Sequence, residues 1–373
     1  MRFTAVCHNM QCFYTAYILR GILMKNGIKM IDIANELGVS VVTVSNALAG
    51  RDGVSEQLRM KICDTANKMG YKPSNTKSEK ELTYYPKLGK SVGILTSERF
   101  VGYRGTFYWE LTASISNKLS DMNVYTVYEC ISTKNEHDGI LPKIITENKI
   151  DGIIVIGQIH RCYIEQLSKI NIPLIFVDFY DNRYNIDSVN SDSYDGGYLL
   201  TDYLVKNGHR EIGFFGTVTA TSSIHDRFLG YIKCLMENKL EYNKEWTIAD
   251  RDENGVNFNK IIFPEKMPTA FVCNCDETAF RVISTLKSMD VRVPEDISVV
   301  GYDNYTVSNI CIPTITTVEV DINKMAETAV EIITKKLINP GYSEGRRIIS
   351  GKLIVKNSVL NINGCYSDIC PKF

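Results

Sequence analysis

The sequence predicts a small all-α head followed by a larger α/β body of two successive doubly wound parallel sheets. Three observations predict it. Apolar residues recur at helical 3/4 spacing, with glycine and serine interruptions, from Met30 to about residue 70. From residue 91 onward, short β-branched runs alternate with helical patterns. A length of 373 residues exceeds one ordinary domain and suits a small unit joined to a bilobed one.

Composition narrows the class. Hydrophobic residues make up 44% and charged residues 23%, as in a water-soluble globular chain rather than a disordered one. No apolar run approaches the ~18 residues of a membrane span, so no membrane partner is expected. The chain carries a net charge of −1, but residues 25–90 hold 11 Lys/Arg against 7 Asp/Glu. A positive head on an acidic body suits local nucleic-acid contact without general stickiness. The eleven cysteines are odd in number and scattered along a chain too large for a disulfide scaffold. Cys273 and Cys275 read as thiols on or near a strand rather than as a metal site, and the protein is expected to be reduced and cytoplasmic, with no cofactor and no metal. Residues 1–28 form an unpatterned extension. Phe3 to Leu23 is a poor signal peptide, and Met24 is the expected natural start.

Met30, Ile33, Ala34 and Leu37 make one face of a first helix, and Gly38 supplies the left-handed residue that ends it. Ser40 caps a second helix over 41–48, with Val44, Ala47 and Leu48 inward and Val41, Val42, Thr43, Ser45 and Asn46 outward. A third helix opens at Ser55, carries Leu58, Ile62, Ala66 and Met69 on one face, and stops at Gly70. Two short helices joined through Gly-Val-Ser and braced by a third form a helix-turn-helix. Its second helix would offer hydroxyls to phosphates, Asn46 to a base edge and the valines to thymine methyls.

In the body, 92–95, 124–128, 152–156 and 173–177 read as strands buried on both faces, with helices around 108–121, 138–148 and 161–170. A second set places strands at 212–215, 270–273 and 297–300 and helices at 194–207, 226–238 and 277–289. Ligands in such sheets bind beyond the carboxyl ends of the strands, and the cleft between two lobes is the expected site. Asp178, Asp276 and Asp303 each follow a strand, Arg227 opens a helix, and Phe107 and Tyr108 begin another. Carboxylates and arginine suit ligand hydroxyls, and an aromatic face suits the apolar side of a sugar ring.

Ile31 to Leu48, followed by Val54-Ser55, Arg59 and Gly70-Tyr71-x-Pro73, resembles the head of the lactose repressor/galactose repressor (LacI/GalR) family. Gly196-Gly197, Asn207-Gly-His-Arg-Glu-Ile212, Arg227-x-x-Gly230 and Pro294-Glu-Asp-Ile-Ser-Val-Val-Gly-Tyr-Asp303 resemble its periplasmic-binding-protein-like effector domain. The resemblance implies a head at 29–74, a hinge at 75–90, a two-lobed effector and dimerisation domain at 91–361 and a tail at 362–373. It implies that Val41, Val42 and Asn46 read bases, and that Ser40, Thr43, Ser45, Ser55 and Arg59 hold the DNA backbone. It places effector contacts at Asp178, Arg227, Cys275 and Asp303, with Phe107 and Tyr108 beside them. A thiol at Cys275, where a more polar side chain is common, implies a ligand with no strong hydrogen bond there. Lys80 stands where the family's hinge carries its minor-groove leucine, leaving Leu82 as a substitute wedge.

The implied partners are pseudo-palindromic operator DNA, a small-molecule effector (a sugar first, a nucleobase or other polar metabolite second) and a second copy in a homodimer. A sugar-binding receptor without a DNA role is the alternative, opposed by residues 30–73. Asp178 and Asp303 could pass for an acid/base pair, but no activated nucleophile, metal set or phosphate loop accompanies them, so no enzyme is expected.

Overall fold

The computed structural model describes residues 28–51, 53–71, 88–101, 107–252 and 255–363. The expected extension before residue 28, most of the hinge with Lys80 and Leu82, and nearly all of the tail lie outside them. Two compact units, Met1–Lys87 and Leu88–Phe373, divide the chain.

The head consists of α1 (Met30–Leu37), α2 (Val41–Leu48) and α3 (Glu56–Met69). Its core is Ile33, Ala34, Val44, Ala47, Ile62 and Ala66, the inward residues of the three apolar stripes. Gly38 at φ 64° ends α1, and Gly70 at φ 74° ends α3. The Ser40 hydroxyl accepts from the Thr43 amide at 3.0 Å, and that of Ser55 from the Leu58 amide at 3.4 Å. Both serines therefore satisfy otherwise orphaned N–H groups at helix starts.

In the body, β1 (Ser91–Ser97), α4 (Phe107–Asp121) and β2 (Tyr125–Ile131) come first, followed by two short helices, α5 (Thr133–Asp138) and α6 (Lys143–Thr146). Next are β3 (Gly152–Ile156), α7 (Arg161–Ser168), β4 (Leu174–Val177) and β5 (Asp187–Ser191). The chain continues through α8 (Ser193–Lys206), β6 (Ile212–Phe215), α9 (Ser222–Glu237), β7 (Thr247–Ile248), β8 (Ala270–Cys273), α10 (Asp276–Ser288) and β9 (Ser298–Val300). It ends with α11 (Thr306–Ile310), β10 (Thr317–Glu319), α12 (Ile322–Ile338), β11 (Arg346–Ile349) and β12 (Lys352–Ile354).

Two sheets result, as expected. The first has the order β11-β5-β4-β3-β1-β2 and the second β7-β6-β8-β9, with every neighbouring pair parallel. β10 and β12 form a separate antiparallel pair. The chain crosses between lobes three times, between β5 and α8, between β10 and α12, and between β11 and β12. Thus α12 and β11 return to the first lobe: a Cβ on Gly152 of β3 would meet the Leu337 and Ile333 side chains of α12 at 3.1 and 3.3 Å. Buried Asp187 ties this return together. It pairs with Lys336 of α12 at 2.6 Å and accepts from the Gly345 amide at 2.7 Å, just before β11.

Two expectations are corrected. β2 is not buried on both faces; it is an edge strand, with Tyr125 and Tyr128 exposed. The helix expected over 138–148 is two short ones, because Gly139 at φ 66° ends α5 and Pro142 starts α6.

The contact that positions the cleft lies between α8 and α9. A Cβ on Gly197 would stand 2.1 Å from the Arg227 carbonyl oxygen, and one on Gly230 would stand 2.0 Å from that of Tyr194. The obstacle in each case is backbone, which no rotamer change relieves. Alanine at either position is expected to gain about 1 kcal/mol in helix propensity and to lose more, for a net destabilisation of about 1–3 kcal/mol typical of overpacking. Thermal unfolding of Gly197→Ala and Gly230→Ala should therefore show lower midpoints than the parent, not higher ones.

Candidate functional site

Each unit carries one candidate surface. In the head, α2 presents Val41 and Val42 at 38% and 67% exposure, with Thr43, Ser45 and Asn46 partly exposed beside them. Thr43 and Ser40 share a hydroxyl–hydroxyl hydrogen bond of 2.8 Å at the helix start. Two exposed valines on a helix whose inner residues are fully buried form an apolar contact face flanked by polar groups, the composition that a base-reading helix needs.

Arg59 differs from its expected role as a backbone-phosphate contact. It is 3% exposed, and its guanidinium is turned inward on the turn between α2 and α3. Nη1 donates to the carbonyls of Asn46 (2.9 Å) and Ala47 (3.3 Å), and Nη2 to those of Arg51 (2.5 Å) and Val54 (3.3 Å). The side chain ties the turn together: the Asn46 and Ala47 carbonyls also accept from the Arg51 and Gly50 amides at 2.9 and 3.2 Å, and Arg59 adds its bonds to these and to the carbonyls of Arg51 and Val54. It positions the recognition helix and does not reach outward.

In the body, strand ends from both lobes converge. From the first lobe, the Tyr108 hydroxyl donates to Asp178 Oδ2 at 2.9 Å. Tyr108 is packed against Phe100 with ring centroids 4.6 Å apart, and against Phe107 edge-on at 5.4 Å. From the second lobe, Arg227 donates through Nη1 to the Asn274 carbonyl at 2.6 Å, and its Nη2 stands 3.8 Å from Asp303 Oδ1. The Arg227 guanidinium lies 3.7 Å above the Tyr302 ring, which occupies the space a Cβ on Gly196 would fill. Asp178 at φ 65° and Asp303 at φ 106° hold backbone conformations that L-residues rarely adopt, a form of strain that clusters at ligand sites.

The electrostatics couple the lobes. Burial pushes the Asp178 carboxyl up to about 6, against the pull of Arg227 and the Tyr108 hydroxyl. Burial also raises Asp303 well above the usual carboxylate range despite Arg227. Tyr108 is driven up by burial and then by Asp178, with Asp303 adding to the effect from the opposite lobe. These groups share one low-dielectric space.

Cys275 lies at the edge of the same space, its Sγ 3.4 Å from Thr278 Oγ1. Its C-x-C partner Cys273 is buried inside β8. Asp276, expected among the effector contacts, belongs elsewhere. It is buried in the first turn of α10, where Oδ2 accepts from the Tyr305 amide at 2.8 Å, and its Oδ1 fills the space beside Gly301. Asp276 therefore holds the turn that carries Asp303.

Sequence reasoning missed Tyr302, which supports Arg227, and the pair Asp250–Arg251. Asp250 is fully buried and accepts from the Thr217 amide (2.9 Å), Asn274 Nδ2 (2.9 Å) and Thr278 Oγ1 (2.9 Å). Burial works against its charge, yet Arg251 and these donors bring its pKa down to about 2. The available signal was the Ala-Asp-Arg-Asp run just after β7, a third strand end facing the cleft.

Two outcomes follow. Arg59→Leu removes a buried donor from four carbonyls, two of which keep a backbone partner. It should destabilise the head by about 1–3 kcal/mol, read as faster hydrogen exchange in 30–69, whereas Val42→Ala should leave that exchange unchanged. For Asp276, burial raises the folded pKa to about 7, above its unfolded value. Stability carried by the protonated acid is present at low pH and lost as pH rises through about 7. The parent should melt lower at pH 7.5 than at pH 5, and Asp276→Asn should show a smaller fall.

Comparison with known proteins matches this architecture. Residues 29–74 match the model for bacterial regulatory proteins of the lacI family, and residues 201–359 match a periplasmic binding protein-like domain. The HTH-type transcriptional repressor PurR of Actinobacillus pleuropneumoniae serotype 3 (strain JL03) is 27% identical over 342 residues, covering 89% of this chain and 98% of that protein. The transcriptional regulator CelR in its cellobiose complex superposes with a TM-score of 0.62 at 19% identity, over 89% of this chain and 99% of that one. The lac repressor dimer bound to operator and an anti-inducer gives 0.58 at 21% identity, over 90% and 100%. With a matching head, a body of the same fold and a relative spanning nearly its whole length, this chain carries a DNA-binding head of the lacI family joined to a periplasmic-binding-protein-like domain.

Proposed function

We propose that the protein is a transcriptional repressor that binds a pseudo-palindromic operator as a homodimer, and that a small hydroxylated effector, a sugar, controls its affinity from the interlobe cleft. One observation supports the effector half of this reading: the bonded pair Tyr108 and Asp178 from one lobe and the pair Arg227 and Asp303 from the other come close enough for their charges to act on one another. Carboxylates and a guanidinium suit paired hydroxyls, and the Phe107–Tyr108 edge suits a ring face. A neighbour of the same fold holds cellobiose, and a relative of similar length carries the name of a repressor.

In this reading α2 lies in the major groove, with Val41 and Val42 against base edges and Asn46 bonded to one. Ser40, Thr43, Ser45 and Ser55 supply polar contacts to the phosphates. A nucleobase is the second reading, favoured by the packed aromatic pair Phe100 and Tyr108, tilted by 40°, beside the Asp178 carboxylate.

Control needs only a ligand that prefers one lobe arrangement, since about 3 kcal/mol of differential affinity changes occupancy by about a hundredfold. Selection from random duplexes should yield a two-fold-symmetric site, and Asn46→Ala should weaken that site by about 1–3 kcal/mol relative to variants at one base position. Asp303→Asn should abolish the rise in melting temperature produced by the bound effector and leave operator affinity intact. A purified protein with no preference for any duplex over random DNA would overturn the reading.

A further inference from the structure

A second guanidinium faces the cleft, held more rigidly than Arg227. Arg251 donates through Nε to both oxygens of Asp250 at 3.1 Å and through Nη2 to Oδ2 at 2.7 Å. Its backbone is fixed as well: the Arg251 amide donates to Thr217 Oγ1 at 3.1 Å, and that hydroxyl donates to the Arg251 carbonyl at 2.6 Å. Asp250 stands behind the guanidinium with its oxygens occupied by three further donors and its side chain fully buried. Among the described residues, the side-chain hydrogen bonds of Arg251 run through Nε and Nη2, and the side chain keeps 14% exposure. Tyr108 of the opposite lobe, Cys275 and Asp303 all feel its charge. With Nε and Nη2 committed to Asp250, Nη1 is the part of the fork left for a ligand, beside the strand end that carries Asn274 and Cys275, since Asn274 and Thr278 bond the same Asp250.

From this geometry we infer that Arg251 selects an effector carrying an anionic group, a carboxylate or a phosphate, beside the hydroxyls that Asp178 and Asp303 receive. This rests on the interlobe cleft being the effector site. A fork already oriented by a buried carboxylate loses little freedom when it binds, so it favours a planar or tetrahedral oxyanion over a neutral hydroxyl. Cys275 beside it offers only a weak hydrogen-bond partner and no competing charge of the strength of a carboxylate.

The surroundings accommodate the extra negative charge. Burial biases Asp178 and Asp303 toward their neutral forms, in which each still bonds a hydroxyl. A groove at the interlobe rim, beginning next to Gln158 and Tyr180, is lined by Arg99, His160, Arg161, Arg183 and His225. Its three arginines outnumber Asp181 and Glu136, which pair with two of them. A net positive approach raises the local concentration of anions.

The test uses the full chain and matched probes that differ at one carbon: D-glucose, D-glucuronate and D-glucose 6-phosphate, with D-galactose and D-galacturonate as a second series. The expected result is a rise in melting temperature and measurable calorimetric binding with an acid or phosphate member, at least tenfold tighter than with its neutral parent. The uronate and phosphate arms identify which anion is taken. Arg251→Gln should remove that preference, bringing the anionic and neutral members within about threefold, and Arg251→Lys should restore part of it (~1.4 kcal/mol per tenfold). Circular dichroism and operator binding of both variants check folding. A neutral sugar that binds as well as its acid, or an acid preference unchanged in Arg251→Gln, overturns the role of Arg251 and leaves the cleft reading standing. If a panel member binds but Asp303→Asn does not affect it, the cleft reading fails as well. A panel in which no acid or phosphate binds overturns the anion preference.

Discussion

The body depends on a contact that contains no side chain. Helices α8 and α9 approach so closely at Gly197 and Gly230 that the carbonyls of Arg227 and Tyr194 occupy the places where β-carbons would be. That approach sets the height of α9 on the second sheet, and with it the position of the Arg227 guanidinium above Tyr302. Gly196 makes room for Tyr302, and Gly301 makes room for Asp276. Four glycines thus define where one cation and one strained turn meet the cleft. Close packing of backbone against backbone is less forgiving than packing of flexible side chains, so the site inherits rigidity from its scaffold.

Charge around the cleft is held in two different ways. Asp250 is anchored by three neutral donors as well as by Arg251, which keeps a strong anion fixed behind a cation. By contrast, among the described residues Asp178 is bonded by the Tyr108 hydroxyl and Asp303 faces Arg227 at 3.8 Å, and burial disfavours the charge of both. Groups left in that condition have interaction energy still to be realised with a ligand. Residues from both lobes share this condition, so filling the space favours one relative arrangement of the lobes, which is what coupling to a distant site requires.

Much of this was legible in the chain. Local signals placed the three head helices within a residue or two, because Gly38, Ser40, Ser55 and Gly70 each act on their own turn. β3, β6 and β8 were placed to the residue, because buried parallel strands are short apolar runs. Asp178, Arg227 and Asp303 do meet in one place, as strand-end reasoning anticipates. What escaped was non-local. Nothing near Arg346 announces that it pairs beside β5, and nothing near Arg59 says that its guanidinium faces four carbonyls instead of solvent. Asp276 and Asp303 look alike in sequence, each following a strand; only the Tyr305 amide and Gly301 separate a turn-forming acid from one facing the cleft.

The three crossings of the chain between lobes have a consequence for biosynthesis. The first sheet is not finished by its own stretch of sequence: its cover α12 and its outer strand β11 arrive only with residues 322–349. While the ribosome is translating the second lobe, the apolar surface around Gly152 is without its helix, and Asp187 is without Lys336. The lobe made first is therefore completed only after most of the second lobe has been made. A truncation that removes β11 or α12 injures the amino-terminal lobe as well as the lobe next to it in sequence, which loses β12 and the bonds of Ser358 and Leu360 to Val299 and Ser298.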